Sequence, residues 1–169
     1  MKPFFYFVLL VLNFSCRRAP EYSKAQYPNH NYHFVSVDKG KFNSIEQYYV
    51  PVYSSIYGHT GNDEFLLSAT LSIRNIGFTD SLYISKIDYF DSEGKLLKKY
   101  FDSAVLLKPM ASMEIVVASS EKKGGVGANF VVECVGNNIL NEPLIQTIMT
   151  TGDLRVGFSA TAVKIKSKQ

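Results

Sequence analysis

Cysteine is scarce in this 169-residue chain, which has only two cysteines, three histidines and no tryptophan. If Cys16 is modified by lipid, Cys134 has no partner within the chain, and the fold is expected to hold without disulfides. Cys134 shares one side of a predicted strand with Phe130 and Val132. A free cysteine in such a place behaves as a small hydrophobic residue, so we interpret Cys134 as a buried, inert thiol.

Long apolar runs and a strong net charge are also missing. The N-terminal apolar run, Phe4–Leu12, has nine residues, far fewer than the roughly 20 that a membrane-spanning helix needs. Without residues 1–15, the 18 basic residues less Lys2 leave 17, against 15 acidic residues. This balance is not that of a nucleic-acid-binding domain. No residue pattern indicates a cofactor or a metal site.

The N-terminus has the features of a lipoprotein signal peptide. Lys2 is followed by the apolar run Phe4–Leu12, and Ser15 directly precedes Cys16. The departure from the usual pattern is Asn13, which stands where an aliphatic residue is expected. We therefore predict a signal peptide over residues 1–15 and lipidation at Cys16. The alternatives are an ordinary signal peptide with an incidental cysteine and an uncleaved anchor.

The residues after Cys16 carry no acidic cluster that would indicate export to the outer face of the cell. We therefore expect a periplasm-facing protein in the envelope of a Gram-negative bacterium, held in the membrane by its lipid. Residues 16–44 are rich in Tyr, Asn, Ser and Lys and show little periodicity, which predicts a flexible tether. The remaining segment, residues 45–165, is predicted to form one domain.

Alternation of apolar and polar residues dominates this domain. In Phe65–Arg74, one side carries Leu67, Ala69, Leu71 and Ile73, as in a half-buried antiparallel strand. Seven or so such strands are separated by turn signals. The pattern predicts a mainly β protein, a single antiparallel β-sandwich of immunoglobulin-like or fibronectin-like architecture.

Two interruptions of the alternation carry their own predictions. Between Leu82 and Phe90 the apolar phase slips by one residue, which indicates a bulge near Ser85 and Lys86. Asn141–Gly152 has a capping residue, an early proline and a final glycine. Its apolar residues recur at helical spacing, which predicts one short helix near residues 142–151.

Four stretches together resemble a bacterial family known only as a domain of unknown function, whose members often carry lipoprotein leaders. They are YVPVYSSIY from Tyr49, LSIRN from Leu71, DYFDSEGK from Asp88 and GGVGANFVV from Gly124. The resemblance runs from about Glu46 to Ala162. It implies a single secreted domain, and it implies no activity, substrate or catalytic residue.

Two surface features are candidate binding sites. The first is the tyrosine row of the first domain strand, in which Tyr49, Tyr53 and Tyr57 share one face. Sheet packing is the competing explanation for these tyrosines. The second is a glycine-rich loop at residues 121–128, whose candidate residues are Lys122, Lys123, Gly124, Gly125 and Gly127. A strand follows this loop rather than a helix, which argues against a phosphate loop. The turn Asp91–Gly94 lacks the ligand spacing of an EF-hand.

We therefore expect a non-enzymatic binding or assembly module with another envelope protein as its partner. The alternative is a small-ligand-binding protein or enzyme, with a site near the loop 121–128 and the turn 91–94.

Overall fold

The computed structural model describes residues 31–137, 141–152 and 156–168. Apart from a 3₁₀ turn at Lys39–Lys41, the regular structure in these ranges is β-strand. The strands are β1 (Phe34–Val35), β2 (Ser44–Pro51), β3 (Ser55–Tyr57), β4 (Glu64–Leu66), β5 (Ser68–Arg74), β6 (Leu82–Phe90), β7 (Leu96–Lys99), β8 (Ala104–Leu107), β9 (Ser112–Val117), β10 (Asn129–Gly136), β11 (Leu144–Thr150), β12 (Gly157–Thr161) and β13 (Val163–Lys168).

The strands form two main antiparallel sheets. The larger sheet has the order β1-β8-β6-β10-β2-β13, with β7 added to β6. The smaller sheet has the order β12-β11-β5-β9, and β3 and β4 form a separate ribbon. The sheets pack in a sandwich-like arrangement, which confirms the predicted mainly β, antiparallel class.

The core lies between the two sheets. The inward side of β5, with Leu67 just before it and Leu71 within it, is buried against the larger sheet. That sheet contributes Val50, Phe130 and Val132, which are also fully buried. Burying one such side chain stabilises the fold by about 1.5–3 kcal/mol, so the alternation read from the sequence accounts for the pairing of these faces.

The predicted bulge is confirmed in β6. The pairing of β6 with β10 shifts between Glu133 and Cys134, which leaves Ser85 as the extra residue. The Ser85 hydroxyl donates a hydrogen bond to the carboxylate of Glu133, at 2.7 Å. The bulge therefore turns a polar side chain toward a buried carboxylate.

The predicted helix near residues 142–151 is wrong, because this segment is strand β11. It pairs with β5 on one side and with β12 on the other. Ile145, Thr147 and Met149 are buried and Ile148 is exposed, so the period is two. The segment is rich in β-branched residues, which favour a strand, and two strands are available to pair with it.

The end of the segment assigned to a tether belongs to the domain. Phe34 and Val35 pair with β8, and the ring of Tyr32 packs against that of Phe101, with centroids 5.2 Å apart. Lys39 forms an ion pair with Glu133. The chain is therefore part of the fold from about residue 32. Residues 16–30 of the predicted tether, Cys16 and the predicted signal peptide lie outside the described residues.

The strands run between two ends of the sandwich. Residues 52–67, 91–95 and 118–128 form one end, which we call the glycine end. Residues 75–81 and 108–111 form the opposite end, which we call the tip end.

Candidate binding cleft

The glycine-rich loop is packed against two neighbouring segments. The backbone N–H groups of Ser54 and Ser92 donate to the carbonyls of Gly125 and Gly124, both at 3.0 Å. The Ser92 hydroxyl donates to the Gly124 carbonyl at 2.9 Å and accepts from the Gly127 N–H at 2.9 Å. The structure thus brings together the loop 121–128 and the turn 91–94, which the alternative hypothesis had paired.

Gly124 lies where a side chain does not fit. A Cβ atom there would stand 2.0 Å from the Tyr89 hydroxyl and 2.4 Å from the Ser54 hydroxyl. Gly125 has a φ of +75°, in the left-handed region that favours glycine. The loop is therefore fixed by close backbone approach, and burial raises the pKa of Tyr89 beneath it.

A cleft of about 540 Å³ opens beside this loop, between the β6–β7 hairpin and β9. Four of its lining residues are aromatic, namely Tyr32, Tyr89, Tyr100 and Phe101. Four more are charged, namely Lys98, Lys123, Glu114 and Glu121. The ammonium group of Lys98 stands 4.3 Å from the centre of the Tyr100 ring, as in a cation–π contact. The cleft thus combines ring surface with charges of both signs.

One wall of the cleft is the edge of a sheet. β9 ends the smaller sheet, and β5 is its one partner among the described strands. The Tyr32 hydroxyl donates to the main-chain carbonyl of Glu114 at 2.5 Å, so this carbonyl points into the cleft. In an antiparallel strand the backbone groups alternate in direction, so those of Val116 point the same way. The backbone groups of Val116 can therefore hydrogen-bond to a chain lying in the cleft.

The tyrosine row does not line this cleft. Tyr49 lies on β2 opposite Val131 and Val163, and Tyr53 packs against Phe158 with ring centroids 5.7 Å apart. Tyr57, at the end of β3, is 63% exposed. Of the candidate loop residues, Lys123 lines the cleft, while Lys122 lies in the same loop outside the lining. Lys123 is therefore the one predicted binding residue that belongs to the cleft.

The sequence did not point to the cleft's aromatic wall. Tyr32 lay in a segment assigned to the tether, and its partner Glu114 is 82 positions away. Tyr100 and Phe101 follow β7 and show no alternation of their own. The signal that was present is the cluster of aromatic residues around this hairpin, which the sequence analysis did not single out.

Two buried carboxylates on the larger sheet are fully partnered. Glu133 accepts hydrogen bonds from Lys39, Ser85 and Gln47. Burial acts to raise its pKa, but these bonds outweigh burial and lower the pKa to about 2. The donors come from three separate segments, so this cluster serves to join them.

The second carboxylate, Glu46, accepts a hydrogen bond from the Tyr48 hydroxyl at 2.5 Å and from Lys164 at 3.0 Å. Burial, and then the bond to Glu46, raise the pKa of Tyr48. Cys134 nearby is fully buried, and burial raises the pKa of its thiol. This thiol is buried as predicted, and both carboxylates join strands of the larger sheet.

Within residues 31–137, 141–152 and 156–168, no three or more His, Cys, Asp or Glu side chains are grouped closely enough to hold a metal ion. In the same ranges, no helix has the length and apolar character needed to cross a membrane.

Comparison with known proteins identifies the family. Residues 45–165 match the family described as protein of unknown function DUF3124. No curated protein and no solved structure matches the chain. The matched range covers most of the chain and nearly coincides with the resemblance seen in the sequence motifs. The chain therefore belongs to the DUF3124 family of proteins of unknown function.

Proposed function

We propose that this protein is a lipid-anchored binding module of the cell envelope, which takes an extended peptide segment of another envelope protein into the cleft along β9. The observation that carries the proposal is the aromatic cleft beside β9, a strand that pairs with β5 alone among the described strands. Peptides that add a strand to such an edge gain main-chain hydrogen bonds, and pockets beside the edge select their side chains.

The size and lining of the cleft fit such a segment. A volume of about 540 Å³ accommodates a few residues, and the rings of Tyr100 and Phe101 offer contact area at low entropic cost. The two basic and two acidic side chains of the lining favour a peptide of mixed polarity over a strongly charged polymer. The hydroxyl of Tyr32 already donates to one carbonyl of this edge, which illustrates the kind of bond that a peptide N–H would make.

The anchor is supported by the sequence of the leader. The short apolar run, the serine before Cys16 and the tether-like composition after it are those of a lipoprotein. Several acyl chains would hold the protein stably at the membrane. The intact mass of protein purified from its host's membranes tests this part. Residues 16–169 plus acyl chains are expected, and an unmodified Cys16 would contradict the anchor.

The peptide site is tested at Val116. Val116→Pro removes an N–H that points away from β5, so the ladder between β5 and β9 is kept. Peptides are first selected on the wild-type domain from a library of random linear sequences. Their affinity should fall about tenfold or more in Val116→Pro and stay nearly unchanged in Val116→Ala, which keeps the N–H group.

Two further variants show whether binding depends on the cleft. Tyr100→Ala should weaken the same peptides because it removes one wall of the cleft. Tyr57→Ala, on an exposed tyrosine outside the cleft, should leave binding unchanged. If no peptide is selected, or if binding is indifferent to both Val116→Pro and Tyr100→Ala, the peptide proposal fails.

A small-ligand binder or enzyme is the second candidate. It is favoured by the cleft volume, which lies in the usual range for small-molecule sites, and by the four charged side chains that line the cleft. A small ligand would not depend on the main chain of β9. Binding that survives Val116→Pro and is lost in Lys123→Ala would therefore support this candidate over the peptide.

A further inference from the structure

One buried side chain joins the loops of the tip end. The Asn75 amide nitrogen lies 2.8 Å from the carbonyl of Asp80, 3.2 Å from that of Leu107 and 3.1 Å from that of Lys108. Its amide oxygen accepts from the Gly77 N–H at 3.0 Å. Asn75 is buried, and it joins the loop 75–81 to the loop 108–111. The backbone of this end is therefore well fixed.

This well-fixed end displays apolar side chains. Phe78 is 81% exposed, Met110 is 62% exposed and Ile76 is 44% exposed. The Met110 N–H donates to the Gly77 carbonyl at 3.2 Å, which links the two loops. Exposed single apolar residues are common, but three of them on two joined loops form a patch that indicates a contact surface.

Met110 also has an unusual backbone. Its φ is +60°, and among the described residues it is the one non-glycine residue with a positive φ. An L-residue in the left-handed region is strained, and the strain persists only where surrounding contacts impose it. Here the strained residue is an exposed methionine, where glycine or asparagine would be expected from backbone preference alone.

The charges around the patch favour an anionic surface. Lys108 belongs to the same turn as Met110, and Arg74 precedes Asn75 at the end of β5. Both are exposed. The acidic residue in these loops is Asp80, and the exposed Glu142, before β11 at the same end, is ion-paired with Lys164. Apolar side chains flanked by basic ones are the usual composition of segments that bind the interface of anionic membranes.

The direction of β1 also favours a membrane at the tip end. β1 is antiparallel to β8, and β8 runs toward the tip end, where it leads into Lys108. His33, whose carbonyl accepts from the Leu106 N–H, therefore precedes β1 on the side of the tip end. The 17 residues between Cys16 and Phe34 can span up to about 60 Å, so a lipid at Cys16 alone would not fix the orientation of the domain.

We propose that Phe78, Met110 and Ile76, with Lys108 and Arg74 beside them, insert into the interface of an anionic lipid bilayer and orient the anchored domain. This inference rests on the proposed lipid anchor. It places the glycine end, and the part of the cleft next to it, on the side directed away from the membrane.

The absence of tryptophan provides a direct test. Phe78→Trp introduces a single tryptophan at the tip end, and Tyr57→Trp introduces one at an exposed position of the glycine end. Each full-length variant is purified from its own host's membranes and reconstituted into vesicles of phosphatidylcholine and phosphatidylglycerol, with or without brominated acyl chains. The intact mass of each preparation is measured in parallel, so that the anchor is assessed separately.

The Phe78→Trp variant should show blue-shifted emission that brominated lipid quenches, while the Tyr57→Trp variant should emit as in buffer. Adding Met110→Asn to Phe78→Trp should abolish most of the quenching without loss of thermal stability, because asparagine accepts the left-handed backbone. Adding Lys108→Ala should lower the ratio of bilayer-bound to free tip about fivefold, the worth of one basic residue near an anionic surface.

Two results would overturn the inference while leaving the anchor intact. One is a mass that shows acyl chains together with an unquenched Phe78→Trp variant. The other is blue-shifted emission that brominated lipid does not quench, which would indicate a protein cover. A mass without acyl chains would contradict the anchor alone. In that case quenching of Phe78→Trp in vesicles would still support lipid binding by the tip, and its absence would exclude it.

Discussion

The two ends of the sandwich are held by different means. At the glycine end, Gly124 and Gly125 let the loop backbone bond directly to Ser54 and Ser92. At the tip end, the side chain of Asn75 alone contacts three carbonyls and one N–H group. The first end covers a buried tyrosine, whereas the second satisfies its backbone and leaves apolar side chains in solvent. The difference shows that loops can be fixed either by close approach of their backbones or by one buried polar side chain.

The largest effect is expected from filling the space at Gly124. Gly124→Val should lower the free energy of unfolding by about 3 kcal/mol, because its Cβ would overlap the Tyr89 and Ser54 hydroxyls. Denaturant unfolding measures the loss. Gly152→Ala is the control and should be nearly neutral, since no atom of the described residues beyond its chain neighbours lies within 4 Å of an added Cβ. Equal effects at both glycines would show that the glycine end is not held by close approach.

The next effect is expected from removing the side chain that holds the tip end. Asn75→Ala should cost about 2–3 kcal/mol, because buried carbonyls and one N–H group lose their partner. Thermal unfolding gives the value. Asn62→Ala, in an exposed loop at the glycine end, should change stability by less than about 0.5 kcal/mol. A tolerated Asn75→Ala would mean that the tip loops are held by other contacts.

The third effect concerns Glu133 in the larger sheet, between the two ends of the sandwich. The pKa of Glu133 is about 2 in the folded protein against an ordinary value of 4.5, so its contribution is present above pH 4.5 and is lost as the pH falls toward 2. Glu133→Gln should therefore cost about 2 kcal/mol at neutral pH and flatten the decline of stability in this window.

Urea unfolding at a series of pH values measures this effect. Glu93→Gln, at an exposed turn position, is the matched control and should keep the decline. If Glu133→Gln retains the full decline between pH 4.5 and 2, the hydrogen bonds to Glu133 do not set the acid stability.

The smallest effect is a gain at the strained residue. Met110→Asn should raise stability by about 0.5–1 kcal/mol, since asparagine tolerates the left-handed conformation better than other side chains. Met110→Leu keeps both the strain and the apolar character and should give no gain. A loss of stability in Met110→Asn would show that the methionine side chain packs against the fold rather than facing a partner.

The sequence predicted the features of the fold that depend on residues close together in the chain. The alternation at Leu71 and Ile73 predicted a buried strand face, and the phase slip in β6 predicted the bulge at Ser85. The segment after Pro143 was mistaken for a helix because its apolar spacing fits both periods. Pairing with β5 and β12, which is a long-range property, decided the outcome.

The candidate site was predictable only in part. The glycine-rich loop and the turn at residues 91–94 both carry strong local turn signals, and the structure brings these two segments into contact. The cleft itself depends on Tyr32 crossing to Glu114, a contact between segments that no local pattern connects. The edge position of β9 likewise follows from the order of strands in the sheet and not from its own residues.

Hydrogen exchange along β9 tests the central claim most directly. The backbone amide of Val116 should exchange quickly in the free protein and become protected when a selected peptide is added, while Ile115, already paired with β5, should change little. Protection confined to the cleft-facing amides of β9 is the result that a peptide bound along this edge predicts. Binding of the same peptide without any change at Val116 would contradict it.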